Sequence, residues 1–244
     1  MSKIVNRTLD FFEVFAQQRR PLSLTELAQL MELPLSSCHD VVQALLARGY
    51  LYELKPRGGY YPTGRLFSLS RTINQNDPVA LRAMPVLDRL SLRLSASVSL
   101  AKLIGEDVMY LAVSLAPIPM QFTVQVGDKL RNLYATSAGK ACLGSLPPDE
   151  RKALVQKLEL KPLTGNTITS KTRLLADIAE GEQRGWFVNR GESVEDALTI
   201  STRFMWNESL YFIVAAGTLM RMERQLDSAA TALVQAAEEL AGPD

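Results

Sequence analysis

Residues 22–61 contain the pattern of two short helices followed by a β-hairpin. Ser23 and Glu26 have the S-x-x-E spacing of a capping box, which predicts that the first helix begins directly after Ser23. Pro34 suits the first turn of the second helix, where its missing N–H has no helical partner to lose. Gly49 is typical of the residue just beyond a helix end. The pattern therefore predicts a helix-turn-helix that ends at Gly49.

The sequence after Gly49 predicts a hairpin with a basic, glycine-rich tip. Residues 50–54 and 60–61 are rich in tyrosine and leucine, and the intervening segment 55–59 reads KPRGG. These are the parts of a winged helix-turn-helix, whose second helix enters the major groove of DNA while the hairpin rests on the backbone. Residues 22–61 are therefore predicted to bind DNA.

Helical spacing divides the second helix into an apolar side and a small, polar side. The apolar side consists of Cys38, Val41, Val42, Leu45 and Leu46. On the other side, serine and glutamine are able to hydrogen-bond to base edges. The alternative is an ordinary amphipathic helix with a solvated polar face. The residues assigned to DNA contact are Thr25, Ser36, Ser37, His39, Asp40 and Gln43 in the helices, with Lys55 and Arg57 in the hairpin tip.

The charge of the chain restricts any DNA contact to a local surface. The 244 residues are enough for two domains, and their net charge is only +1. Within residues 1–71, nine lysines and arginines stand against six aspartates and glutamates. Salt-sensitive DNA affinity would rest on these few cations, and a dimer doubles them.

The cysteines and the hydropathy pattern predict a cytoplasmic protein without metal, cofactor or membrane partner. Cys38 and Cys142 lie in apolar surroundings, and neither has a partner at metal-ligand spacing, so both are interpreted as buried thiols in a reducing compartment. The N-terminus lacks the apolar region of a secretory signal, and no apolar run is long enough to span a membrane.

The rest of the chain predicts an α+β domain that follows a long amphipathic helix. The polar segment 74–78 marks a boundary. Residues 79–94 have Leu81, Met84, Leu87, Leu90 and Leu94 at helical spacing, and this helix packs either against its copy in a second subunit or against its own domain. Strands are predicted at 98–104, 108–114, 122–126, 186–189, 198–204 and 211–216, and helices from about 137, at 149–157, at 172–184 and at 221–240.

Both halves of the chain resemble the IclR family of bacterial transcriptional regulators. The resemblance is carried by residues 33–39 (LPLSSCH), 46–50 (LARGY) and 60–64 (YYPTG), and in the second half by 134–141 (YATSAGKA), 185–186 (GW) and Glu192. It implies an α+β fold with a winged helix-turn-helix at 1–75, a linker helix at 76–96 and a GAF-like α/β effector-binding domain at 97–244. It also implies a homodimer or homotetramer that binds a double-stranded DNA operator and responds to a small effector.

The chain departs from the family pattern at a few positions. Asp40 stands where the family often has Arg, and Glu32 stands where it usually has the Gly of the turn. Residues 197–204 (ALTISTRF) lack the Cys and Pro of the corresponding family stretch. Arg203 replaces that Pro, and it either pairs with an anionic effector or forms a surface salt bridge.

The residue inventory argues against an enzyme, so no catalytic residue is assigned. The only histidine is His39 in the predicted DNA-binding helix, which leaves the second half without an imidazole base. Gly139 and Lys140 do not complete a phosphate-binding loop, because Tyr134 and Ala141 occupy the other required positions. A DNA-binding architectural protein without a ligand and an enzyme based on carboxylate or lysine remain the alternatives.

A binding site for a small organic acid is the preferred interpretation of the second half. Thr136, Ser137 and Ala138 are predicted at a helix N-terminus, which favours an anionic oxygen. The resemblance places Asn189, Thr199, Ala216 and Thr218 around the same cavity, and Thr199 and Ser201 are either site residues or satisfied core hydroxyls. An aromatic acid is preferred over a glyoxylate-like one, because a ring would find apolar neighbours in Met120, Phe122, Leu130 and Leu133.

Overall fold

The helix-turn-helix predicted from Ser23 and Glu26 is present in the computed structural model, which describes residues 3–54, 58–116, 118, 122 and 124–242. The polypeptide folds as two units, Met1–Asn76 and Asp77–Asp244. Each unit buries a hydrophobic core of its own.

The first unit is a winged helix-turn-helix. Its elements are α1 (Lys3–Gln18), α2 (Leu24–Leu30), α3 (Leu35–Ala47), the antiparallel hairpin of β1 (Leu51–Leu54) and β2 (Gly59–Pro62), and α4 (Arg65–Gln75). The capping box is complete, because the Ser23 hydroxyl accepts from the N–H of Glu26 and the Glu26 carboxylate accepts from the N–H of Ser23. Gly49 follows α3 with φ 71°, the left-handed conformation that ends many helices.

Two features of this unit differ from the sequence prediction. Pro34 lies just before α3 instead of in its first turn; its ψ of 142° is extended, and its carbonyl accepts a hydrogen bond from the N–H of Cys38. Helix α4 was not predicted, because Gly64 before it and the polar segment 74–78 after it are typical of a loop between domains. Every residue of α4 is exposed, including Leu66, Leu69 and Ile73, which share one face at helical spacing.

The second unit is an antiparallel sheet with helices on both faces. Its elements are α5 (Pro78–Leu94), β3 (Ser97–Ile104), β4 (Asp107–Ser114), a 3₁₀ turn (Leu133–Ala135), α6 (Ser137–Gly144), α7 (Pro148–Lys157), α8 (Lys171–Arg184), β5 (Phe187–Arg190), β6 (Ala197–Trp206), β7 (Ser209–Thr218), α9 (Leu219–Arg224) and α10 (Leu226–Ala241). The strand order is β4-β3-β7-β6-β5. One face of the sheet packs on α5 and α10, and the other packs on α6 and α8. The predicted α+β fold class is confirmed.

Helix α5 packs against its own unit. Leu87, Leu90 and Leu94 are buried there, as their spacing predicts. Leu81, which was predicted on the same apolar face, is 58% exposed. Leu81 lies outside the buried stripe of the helix. That stripe consists of Ala80, Ala83, Val86, Leu87, Leu90, Ser91 and Leu94.

Two further elements differ from the prediction. The described residues of the predicted strand at 122–126 are not in a strand; the chain instead returns to the sheet through a single bridge between Met109 and Lys129. The predicted final helix is two helices, because the chain bends at Gln225, whose side-chain amide donates to the Leu94 carbonyl at 2.8 Å. Among the described residues, no helix combines the length and the apolar character that crossing a membrane requires.

Candidate DNA-binding surface and effector cavity

The outer face of α3 carries the predicted DNA contacts. Ser36, His39, Asp40 and Gln43 are exposed, and Ser37 is half-buried. Thr25 is exposed on the preceding helix α2. Lys55 and Arg57 lie outside the described residues.

The inner face of α3 holds the helix in the first unit. Cys38, Val42 and Leu45 are buried, and Val41 and Leu46 are partly buried, as the helical spacing predicts. Burial also raises the pKa of the Cys38 thiol, which keeps it neutral. The apolar anchor therefore leaves the small, polar face of α3 turned towards solvent.

Asp40 lies beside His39 on this face. Its Oδ1 lies 3.8 Å from Nδ1 of His39, and both side chains are more than half exposed. A contact between two such exposed side chains contributes little to stability.

A cavity of about 760 Å³ lies in the second unit, on the sheet face that carries α6. Six of the eight predicted effector contacts line it: Thr136, Ser137, Ala138, Asn189, Thr199 and Ala216. About half of the remaining lining residues are apolar or aromatic, among them Tyr110, Val113, Phe122 and Val214, and four are charged: Asp107, Asp128, Lys129 and Arg131. Of the other residues predicted to receive a ring, Leu130 lines the cavity, Leu133 does not, and Met120 lies outside the described residues.

The floor of the cavity is one row of residues across the sheet. Asn189 on β5 pairs with Thr199 on β6, Thr199 pairs with Ala216 on β7, and Ala216 pairs with Ser97 on β3. Residues in such a cross-strand row point to the same face of the sheet. The row is polar at both ends and in β6, with the small Ala216 between Thr199 and Ser97.

The N-terminus of α6 faces this row. Thr136 caps the helix, since its Oγ1 accepts from the N–H of Gly139 at 3.2 Å, and its carbonyl accepts from the N–H of Lys140 at 2.9 Å. The N–H groups of Ser137 and Ala138 precede the first helical hydrogen bond and so have no helical acceptor. The Ser137 hydroxyl donates to Thr199 Oγ1 at 2.8 Å and joins α6 to β6. The two residues whose N–H groups lack a helical acceptor thus line the cavity, an arrangement that suits a carboxylate.

Ser201 and Thr218, the other two predicted effector contacts, are not among the residues that line the cavity. Ser201 is fully buried beneath α6, because that helix contacts β6 on both sides of it: at Thr199 through Ser137, and at Arg203 through the Ala141 carbonyl at 3.4 Å. Thr218 is the last residue of β7 and the N-cap of α9. It lies two residues beyond Ala216, the β7 residue of the floor row.

Arg203 also lies away from the cavity, so it does not pair with an anion bound there. Its guanidinium lies 3.6 Å from the Glu182 carboxylate and over the ring of Phe187. Of the two roles that the sequence left open for Arg203, the structure shows the salt bridge.

Lys140 forms a buried ionic cluster directly behind the cavity. Its ammonium lies 2.5 Å from Glu192, 2.8 Å from Asp177 and 3.2 Å from the carbonyl of Val188. Burial raises the pKa of the Glu192 carboxyl, and the neighbouring Lys140 opposes that shift. The cluster joins α6 to α8 and to the loop after β5.

Asn189 holds the same loop from the cavity side. Its Oδ1 accepts from the N–H of Glu192 at 2.7 Å, and its Nδ2 donates to the Ser193 hydroxyl at 2.9 Å. Ser193 and Val194 form part of the cavity wall. Asn189 therefore positions this part of the wall through the hydrogen bonds at both ends of its amide.

Sequence reasoning missed Ser97 and Ser99, which line the cavity from β3. The available signal was their alternation with Val98 and Leu100, because small hydroxyl residues at every second position of a strand point to one face. It also missed Arg131, which is exposed at the cavity and forms no ion pair within the described part of the chain. The described residues contain no group of histidine, cysteine and carboxylate side chains that would hold a metal ion.

Two family models match the chain. The one described as bacterial transcriptional regulator IclR C-terminal matches residues 72–241, and the one described as IclR helix-turn-helix domain matches residues 5–55. The chain belongs to the IclR family. This IclR-family protein is a transcriptional regulator with an N-terminal DNA-binding domain and a C-terminal effector-binding domain, which confirms the family and the class of function predicted from the sequence.

Curated relatives of this IclR-family protein are regulators by name. The probable transcriptional regulator SauR of Cupriavidus necator is 29% identical over 204 residues, which are 83% of this chain and 80% of SauR. The transcriptional repressor IclR of Escherichia coli is 25% identical over 184 residues, which are 75% of this chain and 67% of that repressor.

Solved structures share the fold. A regulator from Rhodococcus sp. RHA1 has a TM-score of 0.82 at 22% identity, with 99% of this chain and 97% of that one covered. The IclR homolog from Microbacterium hydrocarbonoxydans, crystallised in complex with 4-hydroxybenzoate, has a TM-score of 0.78 at 20% identity, with 98% and 97% covered.

Proposed function

We propose that this IclR-family regulator binds a small aromatic carboxylic acid in the cavity of its second unit and that the acid changes its affinity for an operator. The observation that carries the proposal is the N-terminus of α6, where Ser137 and Ala138 line a cavity that also has apolar and aromatic wall residues. A carboxylate there accepts from both N–H groups, and the helix dipole stabilises its charge.

The size and the wall of the cavity favour a ring over a two-carbon acid. A volume of about 760 Å³ lies within the range of pockets that hold larger organic ligands. The ring of Tyr110 and the side chains of Phe122 and Val214 offer apolar contact that glyoxylate-like acids would leave unused. The bound 4-hydroxybenzoate of the Microbacterium structure agrees with this choice.

DNA recognition is assigned to the exposed face of α3. Ser36, Ser37 and Gln43 would hydrogen-bond to base edges, and Asp40 would accept from a cytosine amino group. Thr25, His39, Lys55 and Arg57 complete the proposed contact surface, the last two on the phosphate backbone. Action on DNA implies that the protein works in the cytoplasm.

We infer that the regulator acts as a homodimer or a homotetramer. The exposed apolar stripe of Leu66, Leu69 and Ile73 on α4 supports this assembly, because a stripe at helical spacing with every member exposed needs a partner surface. A dimer would read two half-sites of a palindromic operator. An acid that favours one arrangement of the paired DNA-binding units shifts operator affinity by its differential binding to the two arrangements.

The proposed function is tested with the full chain and an operator selected from genomic fragments at low ionic strength. Fluorescence anisotropy then measures operator affinity with and without 4-hydroxybenzoate. We expect a reproducible shift in affinity that Ser137→Trp abolishes, since the indole fills the cavity beside α6. Specific DNA binding that no aromatic acid alters would indicate the ligand-independent architectural role, and turnover of the acid would indicate an enzyme.

A further inference from the structure

Ser97 is a buried hydroxyl without a partner. Its side chain is 5% exposed, and its Oγ makes no hydrogen bond within the described part of the chain. Ser97 nevertheless lines the cavity and shares its floor row with Ala216 and Thr199. Buried hydroxyls are normally hydrogen-bonded, and no described protein group supplies a partner for Ser97, so a polar ligand group beside it would supply one.

The position of Ser97 relative to α6 sets the length of such a ligand. Ser97 lies two strands from Thr199, through Ala216, which corresponds to about 10 Å at the usual strand spacing. Thr199 is hydrogen-bonded to Ser137 at the N-terminus of α6. A benzoic acid with a polar group opposite its carboxylate, and a hydrogen bond of about 2.8 Å at each end, spans this distance.

The charges around the cavity indicate a hydroxyl at the Ser97 end. Lys129 of the lining lies towards the other end of β3, where it bridges Met109 and pairs with Asp107 at 2.7 Å. Met109 pairs with the β3 residue Lys102, five positions and about 16 Å along the strand from Ser97. A second carboxylate at Ser97 would carry the desolvation penalty of a buried charge, which a neutral hydroxyl avoids.

We propose that Ser97 forms a second subsite, which recognises a hydroxyl group on the effector at the end opposite its carboxylate. The inference rests on the proposed binding of an aromatic acid and narrows that class to acids with a distal hydroxyl. The ligand hydroxyl and Ser97 Oγ each donate or accept, so one hydrogen bond satisfies both groups.

Isothermal titration calorimetry of the full chain with benzoate and with 4-hydroxybenzoate tests the subsite. We expect the wild-type protein to prefer 4-hydroxybenzoate by about tenfold, the effect of one buried hydrogen bond. Ser97→Ala should reduce this preference to near unity by weakening 4-hydroxybenzoate while leaving benzoate unchanged. Ser91→Ala is the matched control, because Ser91 is also a buried serine with an unpartnered Oγ but lies on α5, outside the cavity lining.

The outcomes separate the subsite from the proposed function. Equal affinity of the wild-type protein for both acids, or a preference that survives in Ser97→Ala, overturns the subsite and leaves aromatic-acid binding intact. Binding of neither acid overturns both. Folding does not confound the test, since removal of an unsatisfied hydroxyl should leave the unliganded melting temperature of Ser97→Ala unchanged or higher; a clear decrease would show that Ser97 has a structural partner and would also overturn the subsite.

Discussion

The ammonium of Lys140 lies 2.5 Å from Oε1 of Glu192 and is fully buried. It also lies 2.8 Å from Asp177 on α8, so a single cation offsets two carboxylates. Ion pairs of this kind are weak evidence for net stability, but the loss of one partner leaves an uncompensated charge inside the protein. The cluster therefore fixes the loop that carries Ser193 and Val194 at the cavity wall.

Lys140→Met should destabilise the second unit by about 3–5 kcal/mol at neutral pH. Without Lys140 the pKa of Glu192 rises further above 4.5, because burial remains and the opposing cation is lost. A carboxyl group whose pKa is higher in the folded state than in the unfolded state contributes stability below pH 4.5. That contribution is lost as the pH rises through the pKa of the folded state. The defect should thus shrink as the pH is lowered from 7 towards 5. Urea unfolding followed by the fluorescence of Trp186 and Trp206 measures it.

Lys152→Met is the control for that prediction, because Lys152 is an exposed lysine of α7. It should change the free energy of unfolding by less than about 0.5 kcal/mol. Equal stability of the two variants at pH 7 would contradict a charge-compensating role for Lys140.

Gly139→Ala should destabilise the start of α6 and weaken effector binding. A Cβ at Gly139 would lie 2.2 Å from the carbonyl oxygen of Leu133 and 2.4 Å from its Cα, and backbone atoms cannot move aside as a side-chain end does. Overpacking of this kind costs about 1–3 kcal/mol or more. Calorimetric melting should show the decrease, while Gly165→Ala, with no atom within 4 Å of its new Cβ, should melt like the wild type.

The elements predicted correctly are those whose signals are local in sequence. The capping box of Ser23 and Glu26 and the helix end at Gly49 each depend on neighbours within a few residues. The N-terminus of α6 belongs to this group, because Thr136 caps its own helix. Such signals place a helix start or a turn without knowledge of the tertiary fold.

The features that escaped prediction depend on tertiary contacts. The break at Gln225 is stabilised by a bond to Leu94, which is more than a hundred residues away. Ser97 lines the cavity because β3 pairs with β7, and Ser201 is covered because α6 lies over β6. A polar residue on a strand reveals its face by alternation but not whether a helix or a cavity covers it.

Gln43→Ala should weaken specific operator binding and leave stability unchanged. Gln43 is exposed on the polar face of α3, where the loss of a base contact costs about 1–3 kcal/mol, or roughly 5- to 150-fold in affinity. Binding to unrelated DNA should be unaffected, because it depends on phosphate contacts. Anisotropy titrations with operator and with scrambled duplex measure both, and Gln17→Ala on α1 serves as the exposed-glutamine control. Unchanged operator affinity would remove Gln43 from the recognition surface.

Glu26 should remain ionised well below the usual range of a glutamate. The N–H and the hydroxyl of Ser23 both donate to its carboxylate at 2.8 Å and, with Arg20, lower its pKa from 4.5 to about 2. A lowered carboxyl pKa contributes stability above pH 4.5 that is lost as the pH falls towards 2. Carbon-detected NMR of the side-chain carboxyl should show no titration of Glu26 between pH 6 and about 3. In Ser23→Ala the hydroxyl bond is gone while the backbone bond remains, so the midpoint should move part of the way back towards 4.5. A wild-type midpoint near 4.5 would mean that the capping box does not hold the carboxylate in solution.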